Sequence, residues 1–203
     1  MEIYNLFPGS FASNCYLLLC DGHAAVVDPS ANAKTILLEL QKRNATLDMI
    51  LLTHGHFDHI FALDTLRDAT GVKAYIHQED EDMPQDAVKN AFYSFFQTER
   101  TYRRPDYTLT NEQRLPLGNE WIEVVHTPGH TAGSVCYLCN GEFLLTGDTL
   151  FDGNYGRYDL YSGNLSKLRQ SLAHLRTLPQ HLPIYPGHGG STTLGNALDS
   201  IFM

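Results

Sequence analysis

The chain has 203 residues, room for one sizeable domain, and its 43% apolar and 18% charged content supplies a packed core and excludes a disordered chain. Fourteen Lys and Arg against 23 Asp and Glu give a net charge of −9, and the basic residues form no stripe that would neutralise phosphates, so no nucleic-acid partner is expected. The longest strongly apolar run, residues 15–20, falls far short of the ~20 residues of a membrane helix, and no Lys or Arg precedes Lys34 to flank a secretory signal; a cytoplasmic chain with no membrane partner is expected.

Residues 2–7, 15–20 and 24–27 read as strands, separated by Pro8-Gly9 and Asp21-Gly22 turns. Residues 33–43 place Ile36, Leu37 and Leu40 at helical spacing and lead to a short apolar strand at 49–52. A second helix is expected from about His59 to Asp68, then a strand at 73–76. The stretch of about 78–116 breaks this pattern with an acidic run, Glu79-Asp80-Glu81-Asp82, then an aromatic helix carrying Phe92, Tyr93, Phe95 and Phe96, then Arg100, Arg103 and Arg104. It reads as an insertion or lid. Either it is an amphipathic helix with acids at its positive end and a solvated Arg cluster, or a flap whose aromatics and arginines meet an anionic substrate.

Residues 121–126, 134–139 and 142–145 read as strands, with Asn140-Gly141 as a hairpin signal. A helix follows at 164–178, capped by Asn164 or Ser166, then a short strand at 183–185 and a last helix near 194–202. Strands then helix, twice over, predict an α/β (α+β) chain with two sheets packed face to face and helices outside, in one domain spanning 1–203. Cys136 and Cys139 have C-x-x-C spacing, but they and the pair Cys15 and Cys20 lie in strand segments where residues three or five apart face opposite ways. Buried structural thiols are therefore expected.

The chemistry concentrates at Leu51-Leu52-Thr53-His54-Gly55-His56-Phe57-Asp58-His59, a buried strand running into four metal-ligand side chains within six residues. Gly55 lets the turn bring both flanking rings inward. Further ligand-type residues recur at strand ends beside glycine, in Pro128-Gly129-His130, Gly147-Asp148 and Pro186-Gly187-His188. The other histidines, His23, His77, His126, His174 and His181, lie outside these motifs and read as surface or hydrogen-bonded residues, with His126 near enough to His130 to support it.

Together these segments resemble the metallo-β-lactamase superfold over most of the chain. The resemblance implies a four-layer αββα sandwich of two mixed sheets and a site for two divalent metal ions. His54, His56 and His130 would hold one ion and Asp58, His59 and His188 the other, with Asp148 bridging. It also implies a hydroxide nucleophile between the ions, with Asp58 as the catalytic residue that ligates and orients it. The mixed nitrogen and oxygen donors suit zinc, and iron or manganese also fit. His56 stands where the flavodiiron branch has Glu, which disfavours that branch.

Gly147-Asp148-Thr149-Leu150-Phe151 followed by Gly156-Arg157-Tyr158-Asp159 is similar to the glyoxalase II group, thioester hydrolases acting on S-acyl-glutathione. In that group a basic residue at the position of Arg157 contacts the carboxylate of the substrate, a task a planar guanidinium suits; here Arg157 has a second option, pairing with Asp159 to brace its loop. Asp159 also departs from the two-domain enzymes, which carry an aromatic hydroxyl there. Only 15 residues follow His188, so the helical domain that recognises glutathione in those enzymes is not expected and the chain looks more like the shorter single-domain branch.

The expected partner is a small-molecule thioester, with the oligomeric state open and a homodimer included. A persulfide dioxygenase with a single iron at His54, His130 and Asp148, a lactone hydrolase, and a non-enzymatic module with a structural metal stay open.

Overall fold

The computed structural model describes residues 1–6 and 12–202. Strands β1 (Glu2–Asn5), β2 (Tyr16–Cys20) and β3 (His23–Val27) form an antiparallel meander. Helix α1 (Ala33–Lys42), capped by the Asn32 side chain on Lys34 N–H, crosses to β4 (Thr46–Leu51), parallel to β3. Helix α2 (Leu63–Thr70), closed by left-handed Gly71, leads to β5 (Lys73–His77), parallel to β4. After helix α3 (Phe92–Phe96), β6 (Tyr107–Leu109) completes a six-stranded mixed sheet in sequence order.

The second sheet starts with the antiparallel run β7 (Arg114–Leu117), β8 (Glu120–His126), β9 (Val135–Cys139) and β10 (Phe143–Gly147). A small hairpin, β11 (Leu150–Phe151) and β12 (Asn154–Tyr155), precedes α4 (Leu165–Leu175), which Asn164 caps through Lys167 N–H. Strand β13 (Pro183–Pro186) pairs parallel with β10, β14 (Thr192–Thr193) covers its other side, and α5 (Leu194–Phe202) follows, giving the order β14-β13-β10-β9-β8-β7.

Three apolar layers make this a four-layer αββα sandwich. Along β2 the side chains alternate, Leu17 and Leu19 packing with Ile36, Leu63 and Leu66 of the helical layer while Tyr16, Leu18 and Cys20 face Leu115, Val124 and Tyr137 of the other sheet. On the far side Leu144 and Ile184 pack with Leu168 and Leu172 of α4 and Leu198 of α5. All four cysteines are free and buried, with Cys136 and Cys139 in different layers as their spacing requires. Burial pushes the Cys15 and Cys136 thiols up to about 12, which keeps them protonated. Among the described residues no helix is long and apolar enough to cross a membrane.

The structure differs from the sequence-based expectation in three places. His59 belongs to a single 3-10 turn, Phe57–His59, and α2 begins only at Leu63. The stretch expected as an insertion contributes β6 and β7, an edge strand to each sheet, and Leu115 and Leu117 of β7 are buried between charged or exposed neighbours. Pro116 is tolerated there because an edge strand needs no second ladder partner. The acidic run is no solvated helix start: residues 78–80 and 83–85 form 3-10 turns, Asp80 is completely buried, and α3 is five residues long. The Pro8-Gly9 turn lies outside the described residues.

Candidate metal centre

Strands β8, β10 and β13 run the same way, so the loops leaving them carry His130, Asp148 and His188 to one end of the second sheet. The loop after β4 meets them there. Val135 N–H donates to Thr53 O at 2.9 Å and the Tyr137 hydroxyl donates to Leu52 O at 2.7 Å, stitching the ends of the two sheets together. The approach is close enough to need glycine: at Gly147 (φ 48) a Cβ would lie 2.7 Å from Thr53 Oγ1.

All seven expected donors converge. His130 Nε2 lies 2.9 Å from His56 Nδ1 and 3.2 Å from His54 Nε2, and the three rings stand edge to face with centroids 4.7 Å apart. Asp148 Oδ1 is 3.2 Å from His59 Nε2, while its Oδ2 is 3.6 Å from His188 Nε2 and 3.7 Å from His130 Nε2. Asp58 Oδ2 is 3.2 Å from His188 Nε2 and 3.9 Å from His59 Nε2. Three overlapping sets therefore have their ligand atoms within 4.8 Å of one another: His54, His56 and His130; His54, His59 and Asp148; Asp58, His59 and His188.

The hydrogen bonds behind the donors aim their lone pairs at this common point. His130 Nδ1–H donates to Arg157 O at 2.7 Å, leaving Nε2 as the free lone pair. Thr53 gives its hydroxyl proton to Asp28 Oδ2 at 2.6 Å, so its oxygen accepts from His54 Nδ1–H at 3.1 Å and His54 also presents Nε2. His59 Nδ1 donates to Asp28 Oδ2 at 2.8 Å. Two imidazole lone pairs facing each other across 3.2 Å repel unless a cation lies between them. His59 Nε2 and Asp148 Oδ1 are likewise buried without a hydrogen-bond partner. A Cβ at Gly187 would overlap Asp148 Oδ1 and approach His59 Cε1 to 2.7 Å, so this glycine keeps the cradle open. The donor set fits a divalent metal.

Electrostatics divide the cluster. Burial, reinforced by His130, lowers the His56 pKa to about 3, and burial with His59 holds His54 well below its usual range, so both stay neutral ligands. Burial also opposes charge on His59 and His188, but Asp148, Asp28 and Asp58 hold His59 well above the usual histidine range, and Asp58 and Asp148 raise His188. Burial would raise Asp148 and Asp58, yet the surrounding histidines, His59 foremost, hold both carboxyls low. A cation held here would take the place of the protons on His59 and His188, so its binding would release protons.

A model of the metallo-beta-lactamase superfamily matches residues 8–188, which takes in every one of these donors. The chain belongs to the metallo-β-lactamase superfamily. It is 35% identical over 186 residues to a probable metallo-hydrolase, YqgX of Bacillus subtilis, with 91% of this chain and 88% of that one covered. Among solved structures it resembles the B3 metallo-β-lactamase BLEG-1, with a TM-score of 0.90, 34% identity, and 98% and 97% of the two chains covered. It also resembles TTHA1623 in a di-iron-bound form, with a TM-score of 0.84, 32% identity, and 95% of each chain covered.

Two residues that support this superfamily site escaped the sequence reading. Asp28, left-handed at φ 51 just after β3, holds Thr53 through both its backbone N–H and its hydroxyl as well as His59. Its only sequence signal was an acid closing an apolar strand. Asp80 accepts from Thr131 Oγ1 at 2.6 Å, from Gly133 N–H at 2.7 Å and from the Gly55 backbone, clasping the His54–His59 loop to the His130 loop. His126 is a hydrogen-bonded histidine, its Nε2 lying 2.9 Å from Ala132 O while its ring stacks on His77.

Arg157 lines the pocket over the donors, but its guanidinium makes a two-point ion pair with Asp159, Nε to Oδ1 at 2.8 Å and Nη2 to Oδ2 at 2.9 Å. The three arginines that follow the aromatic helix are also engaged. Arg103 pairs with Asp64 and Asp68, Arg104 with Glu81, and Arg100 lies over the rings of Phe61 and Tyr102.

Proposed function

We propose that this metallo-hydrolase cleaves a small-molecule thioester in the manner of glyoxalase II, in the cytoplasm, with two divalent ions, zinc foremost, held by His54, His56 and His130 and by Asp58, His59 and His188. The observation that carries this reading is the placement of Asp148, whose two oxygens face different members of the donor set, Oδ1 towards His59 and Oδ2 towards His130 and His188. One carboxylate that serves both sides is what a shared bridge requires. The di-iron form of the similar TTHA1623 agrees with two ions, and iron stays an alternative metal.

Bound metal ions supply Lewis acidity and a water of lowered pKa. Asp58 takes the catalytic position, at the pocket surface with Oδ2 3.2 Å from His188 Nε2, where a carboxylate holds and orients the attacking water's proton. The rest of the pocket favours a thioester over an amide. Apart from the donors, its described lining residues are Phe57, Ala91, Phe95, Leu160 and Arg157, none of which gives up a proton near neutrality. A thiol leaves as thiolate without a proton donor, whereas an amine does not.

The test combines metal counting with substrate turnover on the purified full chain, presenting acyl thioesters, a lactone and a β-lactam and following oxygen uptake with glutathione persulfide. Two metal ions per chain and thiol release are expected. One iron per chain with oxygen uptake, or turnover confined to the lactone or the β-lactam, would overturn the reading.

A further inference from the structure

Phe57 stands in sequence between the donors His56 and Asp58, and its ring is where the metal loop meets α3. The Phe57 centroid lies 5.3 Å from that of Phe92 and 5.6 Å from those of Phe95 and Phe96. The two segments are also bonded through the backbone, Phe57 N–H donating to Asn90 O at 2.9 Å. Helix α3 is bracketed by two left-handed residues that are not glycine, Ala91 at φ 67 and Gln97 at φ 55, a conformation that side chains resist and that fixes where the aromatics point. Phe95 reaches the pocket with 48% of its surface exposed.

The pocket joins these aromatics to the metal donors. Phe57, Ala91, Phe95 and Leu160 form an apolar wall beside His56, Asp58 and Asp148. Its volume of about 200 Å³ lies below the roughly 300–1,000 Å³ typical of sites that enclose a whole small ligand. It therefore holds the part of a substrate next to the reacting carbonyl and leaves the remainder in solvent. Arg157 is the one Lys or Arg among the described lining residues, and Asp159 neutralises it while its guanidinium carbon lies 5.8 Å from the Phe95 ring centroid. A carboxylate on the bound group would have to displace Asp159.

We propose that this wall binds the acyl group of the substrate and selects an uncharged, apolar acyl chain or aryl group, with Phe95 as the specificity-determining residue. The bond cleaved rests on the thioester reading above; the preference for an apolar group is a binding property and is measurable without turnover. Each methylene buried against such a wall is worth about fourfold in affinity or in kcat/KM.

The experiment uses the full-length, metal-loaded chain and a series of thioesters of one thiol, from acetyl to octanoyl, with lactoyl and succinyl members. The expected result is a rise in kcat/KM of about two- to fourfold per methylene from acetyl to hexanoyl, with the succinyl thioester at least tenfold below the butanoyl one. Phe95→Ala should lose at least tenfold on the hexanoyl thioester and flatten the series at unchanged metal content, Phe95→Leu should restore most of the slope, and Tyr93→Ala, on the same helix outside the pocket lining, should keep it. A flat series in the wild type, or a preference for lactoyl or succinyl, would overturn the proposal. If no thioester is cleaved, the thioester reading fails and calorimetric titration with acetate through octanoate decides: affinity that climbs with length in the wild type and not in Phe95→Ala supports the wall, and equal affinities sink it.

Discussion

Asp28 and His59 form a buried pair, Nδ1 to Oδ2 at 2.8 Å, in which the carboxylate settles which nitrogen of the ring is left for a metal. Losing such a support typically costs ~10–100-fold in metal affinity or activity. Asp28→Asn keeps a residue that tolerates the left-handed backbone at φ 51 but can turn an amide N–H towards His59. It should weaken metal binding about tenfold or more in competition titration with a chelating dye while leaving the circular dichroism spectrum unchanged. Wild-type affinity in the variant would show that the pair does not orient the ligand.

Gly187 makes a sharper demand, because the space its missing side chain leaves is the space between Asp148 and His59. Gly187→Ala should fold, since the position lies at the pocket end of β13, and should lose metal and activity together. Metal content equal to wild type, by elemental analysis after desalting, would contradict this.

Asp80 is clamped by Thr131, Gly133 and Gly55 with no exposure to solvent. Truncating it to Ala strands several buried donors, and each unsatisfied group costs about 1–3 kcal/mol. Asp80→Ala should lower unfolding free energy by about 3 kcal/mol in urea titrations, and a double-mutant cycle with Thr131→Val should show the two effects to be far from additive. Additive losses would mean that the hydroxyl and the carboxylate do not act as a unit.

The candidate metal donors were legible because they crowd into loops that leave strands, with a glycine beside His54, His56, His130, Asp148 and His188, a local signal confined to a few residues. Asp28 and Asp80 were not, since their roles depend on contacts 25 and 51 residues distant, to Thr53 and Thr131, and a lone acid in a turn or in an acidic run reads as solvated. Most strands followed from short apolar runs bounded by turn residues; β2 is buried at every position, its two faces packing into different layers. Strands β6 and β7 were hidden because edge strands carry few buried residues, here interrupted by arginine and proline. Helix α2 begins at Leu63 rather than near His59 because the chain first makes a separate 3-10 turn at the metal loop.

The buried His77 ring, stacked on His126 at a centroid distance of 4.0 Å, has its pKa lowered from 6.5 to about 4 by burial and by its neighbour. Because the unfolded chain takes up this proton first, the stability His77 contributes is complete above pH 6.5 and is lost as pH falls towards 4. Asp80, raised by burial from 3.8 to about 6, acts with the opposite slope in much the same window, its protonated form being the one the fold favours. The total pH profile therefore mixes the two, and the difference between proteins is the useful quantity. His77→Gln should gain on the order of 2 kcal/mol relative to wild type between pH 6.5 and pH 4, in urea unfolding at each pH. A difference that stays constant across this range would contradict the assignment.

Two ions sharing Asp148 are what the proposed hydrolysis stands on, and stoichiometric reactivation tests them most directly. Chelator-stripped protein is titrated with Zn²⁺, and with Fe²⁺ under argon, while thiol release from an acyl thioester is followed. Activity should be absent in the stripped protein, climb to a plateau at two equivalents per chain, and fail to return in Asp148→Ala; full activity at one equivalent, or thiol release that persists without metal, would contradict it.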